Sequence, residues 1–352
     1  MNRFLHAVAI GLMSAAPGMM ACGQTCPVST TATTASTKIV FLGTGMPDPD
    51  PKRQGPAFVI QTGGNTYLFD IGVGVMRQAA AAGVNIGPPT AAFLSHLHTD
   101  HTLGLPDLMF TPWGSGGASG AFCLYGPVGL QWMVTNIQNA YTQDICVREN
   151  CQYYGGNTYK PPIVNEIDFL DHPKGGPSPL PSPGAAPKCN ACTQTCPEAS
   201  KCTCGTVPAF KPKAVYEDGA VKVSAFLVPH GCWDEALGFI IETKSDKKKI
   251  VYSGDTRYTP SMGLACNGCD ALIHEIWWRA GTATCGPTSY GPCFHTDVAG
   301  LNKVITEGKP KKLIVVHQVG TSNPSALGIT QCASSSSTNC VIFASDLQAV
   351  TP

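Results

Sequence analysis

The sequence predicts an α/β chain in which β-sheets pack against each other and carry helices on their outer faces. Three observations point there. Short apolar runs of strand length recur between residues 38 and 317, amphipathic helical runs separate several of them, and the histidines collect where the strand-like runs end. At 352 residues the chain can bury one large core or two modest ones.

Taken in order, "KIVFLGTG" (38–45) reads as a strand whose closing glycines permit a tight turn. "AFVIQTGGNTYLFDIG" (57–72) reads as a hairpin turning at Gly63–Asn65. "GVMRQAAAAG" (74–83) reads as a helix closed by Gly83, and the strand "AAFL" (91–94) runs straight into "SHLHTDHTLGLPDL" (95–108). In "GLQWMVTNIQNAYTQDI" (129–145), Leu130, Met133, Val134, Ile137 and Tyr141 share one helical face. From 146 to 213 periodicity is lost and Pro, Gly, Ser and Cys dominate. This span reads as an insertion, and its five cysteines between Cys189 and Cys204 suit a disulfide-stapled loop better than a zinc knuckle, because C-x2-C-x3-C-x5-C-x-C is not a paired set. Strands resume at "VKVSAFLVPH" (221–230), "LGFIIET" (237–243), "KKIVYSGDT" (248–256), "ALIHEIWW" (271–278) and "KLIVVHQ" around His317. A helix over 296–308 precedes the last, with Thr296 as N-cap and Gly308 as C-cap. Residues 38–320 thus form one domain carrying the 146–213 insertion, and 321–352 form its C-terminal tail segment.

Charged residues make up only 13% of the chain and the formal net charge is zero, so the basic excess expected of a nucleic-acid binder is missing. The small basic runs at 244–249 and 309–312 precede strands and read as solvated turns. At the N-terminus, Arg3 followed by the apolar Leu5–Ala16 reads as an export signal over 1–21, too short to span a bilayer. "MMAC", ending at Cys22, resembles a lipobox and makes Cys22 a candidate lipid anchor, with 22–37 as a Ser/Thr-rich tether. Seventeen cysteines agree with an exported, periplasmic, cell-surface or secreted protein; without Cys22 the remaining sixteen can all pair.

The chemistry concentrates between His96 and His101, where six consecutive positions hold three histidines and an aspartate. Strand ends gather on one rim of a sheet, and His230, Asp255 and His317 each close a strand-like run, with His295 just before a helix. Imidazole and carboxylate are zinc ligands, and two metals sharing a carboxylate make a nucleophile at neutral pH while clamping the charge that develops on an ester. The inventory such a site needs is His96, His98, Asp100, His101, His230, Asp255 and His317. His274, within an apolar strand, reads as a core histidine at least as readily as a functional one. Trp277 and Trp278 suit core packing better than a substrate pocket, and Trp113 is placed at the border of the cleft.

The H-x-H-x-D-H run resembles the signature of the metallo-β-lactamase fold superfamily, nearest its ribonuclease Z-like and arylsulfatase-like branch. Around it, "GTGMPDPDPKRQGPAFVI", "YLFDIGVG", "VPHG…LGFIIET", "YSGDT", "HEIW", "FHTDVAG" and "LIVVHQ" appear in matching order. The resemblance covers about 38–145 and 214–320 and implies a four-layer αββα sandwich. It also implies two divalent metal ions, zinc foremost: His96, His98 and His230 on the first, Asp100, His101 and His317 on the second, Asp255 bridging. Asp100 would act as general base, His295 would protonate the leaving group with Glu275 holding its imidazole, and Asp70 would support the metal-binding loop. The oligomeric state stays open, a dimer being compatible with the resemblance.

Asp255 stands where many β-lactamases carry a cysteine, which favours ester hydrolysis. The chain runs from His230 directly into the next strand, leaving no room for the basic arm of tRNA-processing members. The expected function is therefore an exported hydrolase of a small-molecule ester, a sulfate ester or phosphodiester, attacked by a metal-bridging hydroxide and without strong nucleic-acid binding. Two alternatives stand beside it: a ribonuclease Z-like endoribonuclease or phosphodiesterase on RNA, and a non-catalytic, disulfide-rich binding module.

Overall fold

The computed structural model describes residues 26, 35–115, 121–151, 158–171, 209–231, 233–278, 290–320, 322–334 and 337–352. The segment 1–21 expected to be an export signal, the candidate anchor Cys22 and the Cys189–Cys204 cluster lie outside these residues, as does most of the span 22–37 expected to be a tether.

Strands β1 (Lys38–Gly43), β2 (Ala57–Thr62), β3 (Asn65–Phe69), β4 (Ala91–Phe93), β5 (Cys123–Pro127) and β6 (Ile163–Ile167) come first, then β7 (Lys213–Glu217), β8 (Val221–His230), β9 (Trp233–Thr243), β10 (Lys249–Tyr252), β11 (Ala271–Trp277), β12 (Lys312–Val319), β13 (Cys340–Phe343) and β14 (Ala349–Val350). They form two seven-stranded sheets, ordered β14-β1-β2-β3-β4-β5-β6 and β13-β12-β11-β10-β9-β8-β7. The final segment serves both halves, β13 beside β12 and β14 beside β1. β6 falls within the span read as an insertion and is the edge strand of the first sheet.

Helices are α1 (Val75–Ala81), α2 (Thr99–Thr102), α3 (Leu105–Gly114), α4 (Leu130–Ala140), α5 (Thr142–Cys151), α6 (Pro260–Cys266), α7 (Tyr290–Phe294) and α8 (Val298–Gly308). The 129–145 periodicity continues as two helices, since Tyr141 departs from helical geometry between them. The caps of α8 also differ from expectation. Asp297 accepts the Gly300 amide at 2.7 Å as N-cap, Thr296 instead donates its hydroxyl to the Thr256 carbonyl, and Lys309 rather than Gly308 takes the left-handed closing conformation.

Period-two alternation divides the apolar side chains among three cores, which makes four layers. Ile39 and Phe41 point between the sheets, whereas Val40 and Leu42 face the helices of the first sheet. On β9, Leu237, Phe239 and Ile241 join the central core while Ala236 and Ile240 face the helices of the second sheet. Phe58, Phe69, Phe93 and Tyr125 stack in sequence across β2, β3, β4 and β5. Each fully buried phenylalanine contributes about 1.5–3 kcal/mol. Trp113 packs in the outer core against Tyr159 and not on the cleft, and Trp278 packs on Phe343.

Disulfides join Cys26–Cys123, Cys266–Cys269 and Cys332–Cys340. Cys146 is free and exposed, so the even cysteine count does not translate into complete pairing.

Candidate metal centre

The strands deliver their ends to one rim. β4 leads through Ser95 to His96 and His98, and α2 then presents Asp100 and His101. His230 closes β8, Asp255 follows β10, Glu275 lies on β11, and His317 sits near the end of β12 with a left-handed φ of 41°. A histidine held in that sparsely populated region is strained, and such strain marks functional positions. Gly254, at φ 56°, is required before Asp255: a Cβ there would sit 2.6 Å from the Leu237 carbonyl oxygen.

Two groups of donor atoms result. His96, His98, His230 and Asp255 each place one within 4.8 Å of the others, and so do Asp100, His101, Asp255 and His317. All seven residues expected from the sequence therefore meet, with Asp255 in both groups. Its Oδ1 is 3.4 Å from His101 Nε2, and its Oδ2 is 3.3 Å from His317 Nε2 and 4.0 Å from His230 Nε2. His98 Nδ1 lies 2.9 Å from His96 Nε2 and 3.1 Å from His230 Nε2. His317 Nε2 lies 3.2 Å from Asp100 Oδ2.

Three of the imidazoles, those of His96, His101 and His230, have acceptors on their outer nitrogens. His101 Nδ1 donates to Asp70 Oδ2 at 2.8 Å and His230 Nδ1 to the Phe294 carbonyl at 2.7 Å, which turns both Nε2 atoms inward. His96 Nδ1 is 3.0 Å from Ser95 Oγ, whose own proton goes to Asp70 Oδ2.

This donor set fits divalent cations. Burial holds His96, His98 and His230 below the usual imidazole range, His230 down to about 3, so these rings converge as neutral bases. Burial also works against charge on His101, yet Asp255, Asp70 and Asp100 together carry it well above that range. Converging lone pairs and clustered carboxylates both call for positive charge between them. His101 Nε2 is buried and makes no hydrogen bond among the described residues while facing Asp100 and Asp255.

Glu275 and His295 form an adjoining pair. His295 Nδ1 donates to Glu275 Oε1 at 3.1 Å, and the same oxygen accepts the amides of Thr256 and Thr296 at 3.0 and 3.3 Å. Burial pushes the Glu275 carboxyl up, against the pull of His295. Burial depresses His295, but Glu275, Asp255 and Asp100 outweigh it and carry the imidazole to about 9. His295 and Glu275 also gather with His317 within 4.8 Å. His274 belongs to none of these groups: it is fully buried, with Nδ1 2.7 Å from the Glu275 carbonyl.

Three contributors carried no sequence signal of their own. Ser95 and Tyr252 complete the shell around Asp70, and Trp233 donates its indole N–H to His98 Nε2 at 2.7 Å. Tyr252 reads simply as a strand aromatic, and Trp233 falls before the strand expected at 237–243.

Known proteins agree with this architecture. Residues 50–176 match the metallo-β-lactamase superfamily and residues 199–318 match a β-lactamase superfamily domain. A ribonuclease Z from Mycobacterium bovis (strain BCG / Pasteur 1173P2) is 30% identical over 241 residues, 68% of this chain and 70% of that protein. Human tRNase Z, short form, superposes with a TM-score of 0.59 at 21% identity, over 90% of this chain and 99% of that one. The metallo-β-lactamase fold protein YhfI from Bacillus subtilis does so with a TM-score of 0.54 at 15% identity, over 90% and 99%. The two solved structures establish the fold.

The relatives correct one expectation. The zero net charge and the absence of an arm after His230 point to a small-molecule ester substrate without strong nucleic-acid binding, but the curated relatives are ribonucleases by name. Net charge sums the whole surface and carries no information about the charge at a cleft. By ligand set, layered fold and similarity together, the chain belongs to the metallo-β-lactamase superfamily, in its ribonuclease Z-like branch.

Proposed function

We propose that this protein is a metal-dependent endoribonuclease of the ribonuclease Z kind, hydrolysing phosphodiester bonds of RNA around Asp255. The sharing of Asp255 by two histidine-rich donor groups, in a chain 30% identical to a ribonuclease Z, carries this reading. His96, His98 and His230 would hold one ion, Asp100, His101 and His317 the other, with Asp255 between them. Zinc suits such nitrogen and carboxylate donors. When bound, two such ions neutralise the phosphodiester and lower the pKa of water.

The chain's own groups supply the proton transfers. Burial raises the Asp100 carboxyl, but His101 and the His317 hydrogen bond more than offset this and hold it below its ordinary range. It is therefore ionised at neutral pH, able to orient the attacking water and take its proton. As the new P–O bond forms and the old one breaks, His295 gives its proton to the departing oxygen while Glu275 holds the ring. Asp100 also borders a cavity of about 420 Å³ lined by Met46, Arg53, Val73 and Leu103, a route for the strand beside the scissile phosphate. The disulfides Cys26–Cys123, Cys266–Cys269 and Cys332–Cys340 support placing this activity in an oxidising compartment.

The test is cleavage of an end-labelled structured RNA with a single-stranded 3′ extension, by zinc-loaded protein and by Asp255→Ala. Endonucleolytic products lost in the variant are expected. Two bound metals without RNA cleavage would overturn the nuclease reading, and folded protein that takes up no metal would favour the binding module.

A further inference from the structure

Trp233 opens β9 opposite His230 in register, only three positions further along the chain. Its half-buried indole meets His98 edge to face, with ring centroids 5.0 Å apart and planes at 89°, and donates to His98 Nε2 at 2.7 Å. The other nitrogen of His98, Nδ1, faces His96 Nε2 and His230 Nε2, the inner side of the first donor group.

A neutral imidazole offers one N–H and one lone pair, and an indole N–H can only donate. While Nε2 accepts the indole proton, the proton of His98 sits on Nδ1, which then has no lone pair for a metal. When Nδ1 gives its lone pair to a metal, Nε2 carries the proton and meets the indole donor to donor. The outer nitrogens of His96, His101 and His230 face groups able to accept; that of His98 faces a group that cannot. The usual partner of a ligating histidine is a carboxylate, carbonyl or water.

We propose that Trp233 is a positioning residue that opposes metal binding at the His96–His98–His230 position, which fills only as the indole swings off His98 Nε2. This rests on the metal-centre reading. It makes the two positions unequal, the one beside Trp233 being the weaker, with the indole as a latch on it.

The experiment titrates chelator-stripped full-length protein with zinc alone, in wild type and Trp233→Phe, which keeps an aromatic ring and removes the N–H. The weaker zinc affinity should tighten about fivefold to tenfold in the variant, the worth of one neutral hydrogen bond. In wild type labelled with ¹⁵N-indole, one of the five tryptophan N–H signals should shift as the weaker position fills. A variant that binds zinc no more tightly than wild type overturns the proposal. So does a wild-type spectrum in which no indole signal moves, a readout that stands even if the variant does not fold. Wild type that takes up no zinc removes the metal centre itself; equal affinities with zinc bound remove only the role of Trp233.

Discussion

The Asp70 carboxylate accepts the Tyr252 hydroxyl at 2.5 Å, and this bond ties the end of β3 to β10 across the two sheets beside the candidate metal centre. The same Oδ2 accepts His101 Nδ1 at 2.8 Å and Ser95 Oγ at 2.9 Å, while Oδ1 accepts the Ser95 amide at 2.8 Å. Three donors thus converge on one buried oxygen. Asp70 itself adopts a left-handed φ of 53°, so its backbone is strained to aim that carboxylate. The joint between the sheets and the orientation of a ligand imidazole are thus one feature.

Asp70→Asn should lower metal affinity at the His101 position by about 10- to 100-fold, because the amide cannot accept all these protons and the inward lone pair of His101 is lost. Chelator competition measures this. Tyr252→Phe, which removes one donor and leaves the carboxylate, should cost much less affinity and about 1.5–3 kcal/mol of stability. Unchanged affinity in Asp70→Asn would confine Asp70 to a structural role.

Asp255→Asn tests whether the two donor groups are coupled. Asp255 reaches His101, His317 and His230, so its loss should weaken both positions together. Metal content should fall below one ion per chain and turnover by more than about 100-fold, exceeding the cost of losing a supporting group. Loss of one ion with the other retained would show that the groups bind independently.

The pair His295–Glu275 predicts an alkaline limb. His295 titrates at about 9, so its proton is available below that pH and lost above it. Turnover of a poor leaving group should fall as pH rises through about 9. His295→Ala should abolish that limb and cost about 10²–10⁴ in rate. An activated nitrophenyl leaving group needs little protonation, so its hydrolysis should suffer far less; equal losses on both substrates would remove His295 as the acid.

What the sequence disclosed and what it hid follow from chain distance. His96, His98, Asp100 and His101 announce themselves because one short loop holds them, and His230, Asp255 and His317 because each closes an apolar run. Helices α2 and α3 did not, since Gly104, Pro106 and Pro112 break the local pattern and burial of Leu105, Leu108 and Met109 against the sheet decides instead. Tyr252 and Asp70 are 182 residues apart, and only the packing of one sheet on the other brings them together. Trp233 has the same origin. The substrate misreading arose differently, because a charge sum carries no information about where charge sits.

His274 predicts how acid unfolds the protein. It is fully buried, its Nδ1 engaged by the Glu275 carbonyl, and burial depresses it to about 4. An unfolded chain protonates this histidine near 6.5, so between about 6.5 and 4 the unfolded state binds a proton that the folded state refuses. Stability contributed by the neutral ring is complete above the unfolded value and is lost as pH falls through that window, at about 1.4 kcal/mol per pH unit. His274→Gln keeps a polar side chain of similar reach and removes the titration. Urea unfolding of metal-free protein at pH 7 and pH 5 should show a smaller acid-induced loss in the variant than in wild type, by about 2 kcal/mol. Identical losses in the two proteins would mean that His274 takes up its proton without unfolding, and that the strand around it yields to admit water.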